Sequence, residues 1–228
     1  RSSAASDVYK RQMQKGAIFD LDGTLLYTLE DLKESVNFAL AKYDYAPRTL
    51  EEVRNFVGNG VRLLMERAVP QGAENPDFEA ILKCFKEHYA ENMYNKTKPF
   101  DGILEMLEVL QKRGYKIGVV SNKFDKAVKE LCRKYFCERV EVAIGEDEQH
   151  GIRKKPAPDS VFKAMEILGC DKNSTYYIGD SEVDLETAKN SGLKSISVTW
   201  GYKDREFLLS YGAENIVEKP REILEILR

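Results

Sequence analysis

The fold of this chain is decided by residues 16–25, which read GAIFDLDGTL. The first four residues form a continuous apolar run, and such runs are typical of strands that are covered on both faces of a parallel sheet. Open parallel sheets bind ligands at the carboxyl ends of their strands, which is where Asp20 and Asp22 would lie. Gly23 would let the chain curl and approach a ligand closely. Residues 16–25 therefore predict a buried strand that ends in a site with two carboxylates.

This acidic pair has both a simple and a functional interpretation. Surface turns and calcium loops also favour Asp and Gly, so the motif alone does not identify a catalytic site. If the two carboxylates converge, a divalent cation between them or a proton on one of them would relieve their repulsion. Either arrangement would serve catalysis.

The composition excludes several classes of partner. The 228 residues are 43% hydrophobic and 32% charged, which is ordinary for a soluble globular protein of one or two domains. The formal net charge is only -3, so no broad basic surface predicts nucleic acid as a partner. No apolar run approaches the roughly 18 residues of a membrane span, so no membrane partner is predicted. The four cysteines lack C-x-x-C spacing and nearby His, which favours reduced thiols and a cytoplasmic location.

The first twelve residues, RSSAASDVYKRQ, have a composition unlike the rest of the chain. They are small, polar and basic, and they lack the apolar segment of a signal peptide. Residues 7–12 look like a translated cloning adaptor. We therefore expect residues 1–12 to be a non-native or disordered leader, with Met13 as the natural start.

A helical insert follows the first predicted strand. From Leu29 to Asn95 the apolar residues recur at helical spacing and no strand pattern interrupts them. Residues 49–52, TLEE, are typical of a capping box that starts a helix. An insert of this kind between one strand and the next βα unit indicates a separate domain. We predict a helical cap at residues 27–97 and a core formed by residues 13–26 and 98–228.

Strand and helix patterns alternate through the second part of the chain. The predicted strands are 116–120, 140–144, 175–178 and 195–199. The predicted helices are one from Ile103 that stops before Gly114, 124–135, 159–168, 184–190 and two short ones near Arg205 and Arg221. This alternation predicts a doubly wound, Rossmann-like α/β core with a parallel sheet.

The motif DLDGT at residues 20–24 resembles motif I of the haloacid dehalogenase-like phosphohydrolases. The resemblance implies that Asp20 attacks phosphorus to give an aspartyl-phosphate and that Asp22 is the general acid/base. Polar residues at other predicted strand ends extend this resemblance to further motifs of the family.

Two of these groups resemble the phosphate-binding motifs of the family. Ser121 and Asn122 resemble motif II, in which a hydroxyl at a strand end binds the phosphoryl group, although Ser-Asn is also a common N-cap or turn. Lys155, in KPAP, resembles motif III. Its ammonium would offset the charge of Asp20 and of the phosphate, whereas the alternative is a solvated basic loop.

Residues 179–184, GDSEVD, resemble motif IV. The resemblance implies a Mg²⁺ site made by the carboxylates of Asp20 and Asp180 and the backbone carbonyl of Asp22. Asp184 would be an outer or alternative ligand, or simply a favourable acid in the first turn of a helix. Together the motifs span residues 17–184 and match the order of the family's motifs.

Residues 57–64, VGNGVRLL, resemble the cap loop of phosphoglycolate phosphatases. The resemblance assigns substrate specificity to four residues of this loop: Gly58, Asn59, Gly60 and Arg62. A helix that starts there would offer backbone N–H groups to a substrate carboxylate, while the other interpretation is a plain inter-helix turn. Residues 197–202, SVTWGY, also resemble that subfamily. Tyr27 departs from it, because many members have Asp there, and this leaves the cap hinge and the substrate preference open.

The motifs together predict a Mg²⁺-dependent phosphatase of a small phosphorylated metabolite, foremost 2-phosphoglycolate, acting as a monomer or dimer. A β-phosphoglucomutase and a nucleotide or pyrophosphate hydrolase would share the same core. A catalytically idle member that only binds a ligand is the alternative from another class. The presence of Asp20, Asp22, Lys155 and Asp180 argues against the idle alternative.

Overall fold

The structure is a computed structural model that describes residues 14–228. The predictions for residues 1–12 and Met13 lie outside the described residues. The strands are β1 (Gln14–Phe19), β2 (Leu26–Tyr27), β3 (Lys98–Pro99), β4 (Tyr115–Phe124), β5 (Val142–Glu146), β6 (Cys170–Gly179), β7 (Lys194–Val198) and β8 (Ile216–Val217). The helices are α1 (Leu29–Ala41), α2 (Leu50–Phe56), α3 (Val61–Ala68), α4 (Phe78–Asn92), α5 (Ile103–Lys112), α6 (Asp125–Phe136), α7 (Asp159–Leu168), α8 (Glu182–Ser191), α9 (Arg205–Ser210) and α10 (Pro220–Ile226).

Six strands form one parallel sheet in the order β5-β4-β1-β6-β7-β8. β1 lies in its interior, paired with β4 on one side and β6 on the other. Ala17 and Phe19 pack into the apolar cluster on one face of the sheet, and Ile18 packs into the cluster on the other. Because successive residues of β1 are buried on opposite faces, the strand is a continuous apolar run, as its sequence predicts.

Helices cover both faces of the sheet. α5, α6 and α10 place Leu107, Leu131 and Ile223 in the first cluster. α7 and α8 place Val161 and Ala188 in the second cluster. The predicted doubly wound α/β core with a parallel sheet is therefore confirmed.

The boundaries of several elements differ from their predicted positions. β4 continues to Phe124, because its pairing with β5 resumes after a register shift, with Phe124 opposite Glu146. β6 starts at Cys170 rather than at Thr175. Three further strands, β2, β3 and β8, have two residues each and were not predicted. A strand of this length carries no alternation from which it could be predicted.

The helical insert lies between the two short strands β2 and β3. These strands pair antiparallel, with Leu26 opposite Pro99, so the chain leaves the core and returns to it side by side. The insert contains α1–α4, with α1 packed against α2 and α4. The predicted capping box of α2 is confirmed, since Thr49 Oγ1 accepts from Glu52 N at 3.2 Å and Glu52 Oε2 accepts from Thr49 N at 2.7 Å. The division into domains at residues 27 and 97 remains a prediction.

The insert is closed over the core. Asn122 Nδ2 in the core donates to the Gly58 carbonyl at 3.1 Å. Arg54 Nε in the insert donates to the Tyr202 carbonyl of the core at 2.8 Å. These two contacts hold the insert above the carboxyl ends of β1, β4 and β6.

The four cysteines are free thiols in the structure: Cys84, Cys132, Cys137 and Cys170. Among the helices between residues 14 and 228, none combines the length and the hydropathy that crossing a membrane would need.

Candidate active site

Three buried acids converge at the carboxyl edge of the sheet. Asp20 follows β1, Asp180 follows the neighbouring strand β6, and Asp184 lies in the first turn of α8. One carboxylate oxygen of each acid lies within 4.8 Å of the others. The pairing of β1 with β6 brings together acids that are far apart in the sequence.

Two glycines allow the backbone to approach Asp180. Gly23 has a φ of +89°, and a Cβ there would overlap the carboxylate of Asp180. A Cβ on Gly201 would overlap Asp180 as well. The Asp180 carboxylate is held by the backbone N–H of Tyr202 at 2.7 Å and by Thr24 Oγ1 at 3.3 Å. Both glycines are therefore needed for the close packing around this acid.

Lys155 joins two of the three acids. Its Nζ lies 2.6 Å from Asp20 Oδ1 and 2.8 Å from Asp184 Oδ1, and the side chain is almost fully buried. The Tyr177 hydroxyl, 3.1 Å from the same ammonium, also donates to Asp184 Oδ1 at 3.0 Å. The neighbouring Lys154 points elsewhere and pairs with Glu146 at 3.4 Å. Of the two lysines, the one that motif III selects is the one that reaches the predicted nucleophile.

Burial dominates the electrostatics of the acids. It raises the pKa of Asp20 to about 7, with Lys155 opposing this rise and Asp184 and Asp22 adding to it. Burial, followed by the charges of Asp184 and Asp20, raises the pKa of Asp180 well above its usual value. The pKa of Lys155 is lowered by burial, but the carboxylates of Asp184 and Asp20 more than offset this and raise it well above its usual value. The Lys155 ammonium therefore stays charged beside Asp20, whose ionisation is opposed by burial.

The carboxylate of Asp22 has different partners and lies outside the cluster of three acids. Thr28 Oγ1 donates to Asp22 Oδ1 at 2.6 Å, and Lys123 Nζ lies 3.0 Å from the same oxygen. Thr28 in turn donates its backbone N–H to the Tyr202 hydroxyl at 3.1 Å. The predicted role of the Asp22 backbone carbonyl as a metal ligand remains a prediction.

Asp184 has the contacts expected of an acid in the first turn of a helix, while its predicted role as an outer or alternative metal ligand remains a prediction. Its Oδ2 accepts from the backbone N–H of Ser181 at 3.2 Å and from the Ser181 hydroxyl at 2.6 Å, as expected of an acid in the first helical turn. Its Oδ1 faces Lys155 and Tyr177. The same carboxylate thus caps α8 and belongs to the acidic cluster.

The Asn122 side chain does not do what its sequence position suggested. Its Nδ2 donates to the Lys155 carbonyl at 3.0 Å and to the Gly58 carbonyl, and its Oδ1 accepts from Lys155 N at 2.7 Å. Both amide hydrogens are therefore used to hold Lys155 and the loop of the insert. This differs from the predicted donation to a phosphate oxygen. Ser121 lies at the cavity beside it.

The insert and the core enclose a cavity of about 40 Å³. The insert lines it with apolar side chains and glycines only: Leu32, Val57, Gly58, Gly60, Val61 and Leu64. The core lines it with three of the acids, Asp20, Asp22 and Asp180, with Ser121, Asn122 and Ser181, and with Lys123, Lys155, Tyr202 and Lys203. The wall on the insert side is therefore uncharged, and the wall on the core side is strongly polar.

The predicted specificity residues of the insert are divided between the cavity and its outside. Gly58 and Gly60 line the cavity, whereas Asn59 and Arg62 do not. Arg62 is about half exposed and pairs with Glu66 at 3.1 Å and with Glu79 at 2.6 Å. Helix packing turns the Arg62 guanidinium toward acids on the surface of the insert and away from the cavity, and its role in specificity remains a prediction.

Sequence reasoning missed three residues that contact the site, namely Thr28, Lys123 and Tyr202. Lys123 directly follows the motif II pair, and Tyr202 ends the TWGY stretch, so both lay beside segments that had been singled out. Their partners depend on which strands are neighbours in the sheet. Thr28 had no signal of its own in the sequence.

The cluster of three acids fits a hard divalent cation. Its donors are all carboxylate oxygens, which Mg²⁺ prefers, and all three side chains are buried. The raised pKa values of Asp20 and Asp180 reflect burial and mutual repulsion that a bound cation would offset. Asp20, Asp180 and Asp184 are thus placed to hold such an ion.

A parallel α/β sheet with a nucleophile-like acid at the end of a central strand, a lysine beside it and a helical insert above it defines a class of hydrolases. The chain matches the family of haloacid dehalogenase-like hydrolases over residues 17–198 and belongs to that family. The resemblance found in the sequence is therefore confirmed, and the protein is an enzyme of the hydrolase class.

Several relatives of this chain are named as phosphatases. The N-acetylmuramic acid 6-phosphate phosphatase of Pseudomonas aeruginosa is 31% identical over 220 residues, covering 96% of each chain. The phosphoglycolate phosphatase of Mesorhizobium japonicum is 32% identical, covering 82% of this chain and 84% of its own. A crystal structure from Lactobacillus delbrueckii subsp. bulgaricus, of a protein provisionally named a phosphoglycolate phosphatase, is 35% identical with a TM-score of 0.89, covering 94% of this chain and 99% of its own.

Proposed function

We propose that this protein is a Mg²⁺-dependent phosphatase that hydrolyses a small phosphomonoester, with 2-phosphoglycolate as its foremost substrate. The observation that carries the proposal is the position of Asp20, which lies at the end of β1 with Lys155 2.6 Å from its carboxylate and the closed insert above it. The relatives named phosphoglycolate phosphatases support the choice of substrate.

The carboxylates of Asp20 and Asp180 and the backbone carbonyl of Asp22 would hold the ion, with Asp184 as an alternative ligand. When bound, Mg²⁺ offsets the charge between the phosphate and the acids and orients the phosphate. The Lys155 ammonium, 2.6 Å from Asp20 Oδ1, supplies a positive charge beside the nucleophile.

Asp20 acts as the nucleophile. One of its carboxylate oxygens attacks phosphorus in line, the bond from phosphorus to the ester oxygen breaks, and Asp22 gives its proton to the departing alkoxide. Asp22 then takes a proton from the water that attacks the phosphorus of the aspartyl-phosphate, which frees Asp20 and inorganic phosphate. Ser121 and Lys155 stabilise the charge on the transferring group, which is most of what phosphoryl transfer needs.

The shape of the cavity supports a short substrate. It has room for only a few water molecules while the insert is closed, so a small ester is accommodated with the least displacement of the insert. The N-acetylmuramic acid 6-phosphate phosphatase that matches nearly the whole chain supports a larger sugar phosphate as the second candidate. We place the enzyme in the cytoplasm, where its free thiols would stay reduced.

The test is phosphate release, with and without Mg²⁺, from 2-phosphoglycolate, N-acetylmuramic acid 6-phosphate, β-glucose 1-phosphate, nucleotides and pyrophosphate. Magnesium-dependent preference for 2-phosphoglycolate is the expected result. Asp20→Asn should abolish turnover, while Asp101→Asn, at an exposed position that does not line the cavity, should not change it.

Other outcomes separate the alternatives. Preference for another phosphate would keep the chemistry and reject the substrate. Conversion of β-glucose 1-phosphate to glucose 6-phosphate without phosphate release would identify a mutase. No reaction with any phosphate would favour the idle ligand-binding alternative.

A further inference from the structure

Three lysines line the cavity, and they differ in how their charge is used: Lys123, Lys155 and Lys203. Lys155 is shared between Asp20 and Asp184. Lys203 is half-buried, and its ammonium packs 5.0 Å from the centre of the Phe207 ring. Lys123 is 4% exposed and has a single carboxylate partner, Asp22.

The position of Lys123 joins the core to the insert. The residue directly follows Ser121 and Asn122 near the end of β4, where its backbone N–H donates to Ser121 Oγ at 3.2 Å. Its Nζ lies 3.0 Å from Asp22 Oδ1 and 4.7 Å from the centre of the Tyr89 ring, which α4 contributes from the insert. A cation over an aromatic face is attracted to it, so closing the insert holds this ammonium at the cavity.

An ammonium group has three hydrogen-bond donors. The Lys123 ammonium lies 3.0 Å from Asp22 Oδ1. Its other neighbour is the face of the Tyr89 ring, which carries no anionic oxygen. A buried cation is costly unless oxygen acceptors surround it. Lys123 can therefore donate further hydrogen bonds, and a ligand in the cavity would accept them.

The opposite wall supplies no competing charge. The side chains that the insert presents to the cavity are those of Leu32, Val57, Val61 and Leu64, together with two glycines, and Arg62 is occupied on the outside. A second anionic group on a substrate would therefore find its cation in the core, beside the acid that serves the leaving oxygen. In a short phosphorylated acid such as 2-phosphoglycolate, the ester oxygen is bonded to the carbon that also carries the carboxylate.

We propose that Lys123 determines substrate specificity by binding a carboxylate adjacent to the ester carbon of the substrate. This inference rests on the proposed phosphatase function. It names the substrate class as short phosphomonoesters of 2-hydroxy acids. It assigns their recognition to the end of β4 and not to the charged residues of the insert.

The test compares 2-phosphoglycolate with propyl phosphate, an ester of similar size that lacks the carboxylate, in wild type and Lys123→Met. Wild type is expected to favour 2-phosphoglycolate in kcat/KM. Loss of a charge-assisted hydrogen bond should lower this preference by about 10- to 100-fold, mainly through the KM for 2-phosphoglycolate. Lys123→Arg should restore part of the preference, because it keeps the charge.

Two other lysines provide the comparison. Lys154→Met removes a lysine that pairs with Glu146 and does not line the cavity, and it should keep the wild-type preference. Lys203→Met changes a lysine of the same cavity. If Lys203→Met and not Lys123→Met removes the preference, the assignment of Lys123 is wrong.

Calorimetry with unreactive ligands separates this inference from the phosphatase function. Wild type should bind 3-phosphonopropionate more tightly than butylphosphonate, and Lys123→Met should bind the two alike. Equal binding of both ligands by wild type would overturn the role of Lys123 even if the enzyme hydrolyses phosphates. The wild-type protein could instead hydrolyse none of the esters and still bind 3-phosphonopropionate more tightly than butylphosphonate, with this difference lost in Lys123→Met. That result would keep the binding role of Lys123 and reject the phosphatase function. An equal loss for the compounds with and without a carboxylate would mean that Lys123 acts only on Asp22 or on folding, and would also overturn the inference.

Discussion

Lys155 Nζ donates a hydrogen bond to Asp20 Oδ1 over 2.6 Å, and both side chains are almost completely buried. The same ammonium lies 2.8 Å from Asp184 Oδ1. One cation from the loop before α7 therefore offsets acids from two other parts of the chain. The lysine that we propose for phosphate binding therefore also pairs with two buried acids.

Replacing this lysine should destabilise the metal-free protein. Lys155→Met leaves Asp20 and Asp184 buried without their cation, and breaking a buried ion pair in this way costs about 3–5 kcal/mol. We expect urea denaturation at pH 8 to report a loss of free energy of unfolding of about that size. Lys154→Met, which breaks a more exposed pair with Glu146, should cost less than about 1 kcal/mol. Equal losses in the two variants would contradict the structural role of Lys155.

Arg54 should control closure of the insert. Its Nε donates to the Tyr202 carbonyl at 2.8 Å and its Nη2 lies 3.4 Å from the Gly201 carbonyl, so it ties the insert to a loop beside the acids. The side chain is 37% exposed, so we assign these bonds about 1 kcal/mol in total. Arg54→Met is expected to lower kcat/KM about fivefold through a higher KM.

A second arginine of the insert provides the matched control for this experiment. Arg67 donates to the Phe56 carbonyl at 2.9 Å, and both residues belong to the insert. Arg67→Met should therefore affect stability without raising KM. If the two variants raise KM equally, Arg54 does not act through closure.

Binding of Mg²⁺ should stabilise the fold. The ion would bind the folded cluster of Asp20, Asp180 and Asp184 and not the unfolded chain, so a hundredfold excess over its Kd adds about 2.7 kcal/mol. For a chain of this size that corresponds to a rise in Tm of about 5–10 °C. Asp180→Asn should lose most of the rise, whereas Asp101→Asn should keep it. A thermal melt with Mg²⁺ identical to the melt in EDTA would mean that the cluster does not bind the ion.

The metal-free protein should become less stable as pH rises through the pKa of Asp20. Burial raises this pKa from 3.8 to about 7, so the folded state binds the proton more tightly than the unfolded state does. Stability from this group is therefore complete below about pH 4 and is lost as pH rises toward 7 and above. We expect the free energy of unfolding of wild type, relative to that of Asp20→Asn, to fall between pH 5 and pH 8 in EDTA. A rise in this difference would show that Lys155 keeps Asp20 ionised across the range.

Local patterns were sufficient for the elements that carry the site. β1 is apolar because both of its faces are buried, and the helix predicted at residues 159–168 has the observed limits Asp159–Leu168. The motif residues at strand ends came together because parallel strands present their carboxyl ends at one edge of the sheet. The same patterns gave no signal for β2, β3 and β8, since two residues define no period.

Contacts between side chains could be determined only from the tertiary structure. Nothing local distinguishes Arg62, which pairs with Glu66 and Glu79, from an arginine that faces a substrate. The sequence predicted that the amide of Asn122 donates to phosphate. In the structure this amide bonds to the backbone of Lys155. In both cases the partner is chosen by the packing of elements that are distant in sequence.

The sequence by itself determined the α/β class, the helical insert and the acids of the site, because side-chain periodicity and motif order are properties of neighbouring residues. Only the tertiary structure decided that Lys123 meets Asp22, that Arg54 ties the insert to the core and that the insert presents an uncharged wall. The physical reason is the order of the strands. β4 and β6 lie on either side of β1, and this order sets which charged groups become neighbours once water is excluded.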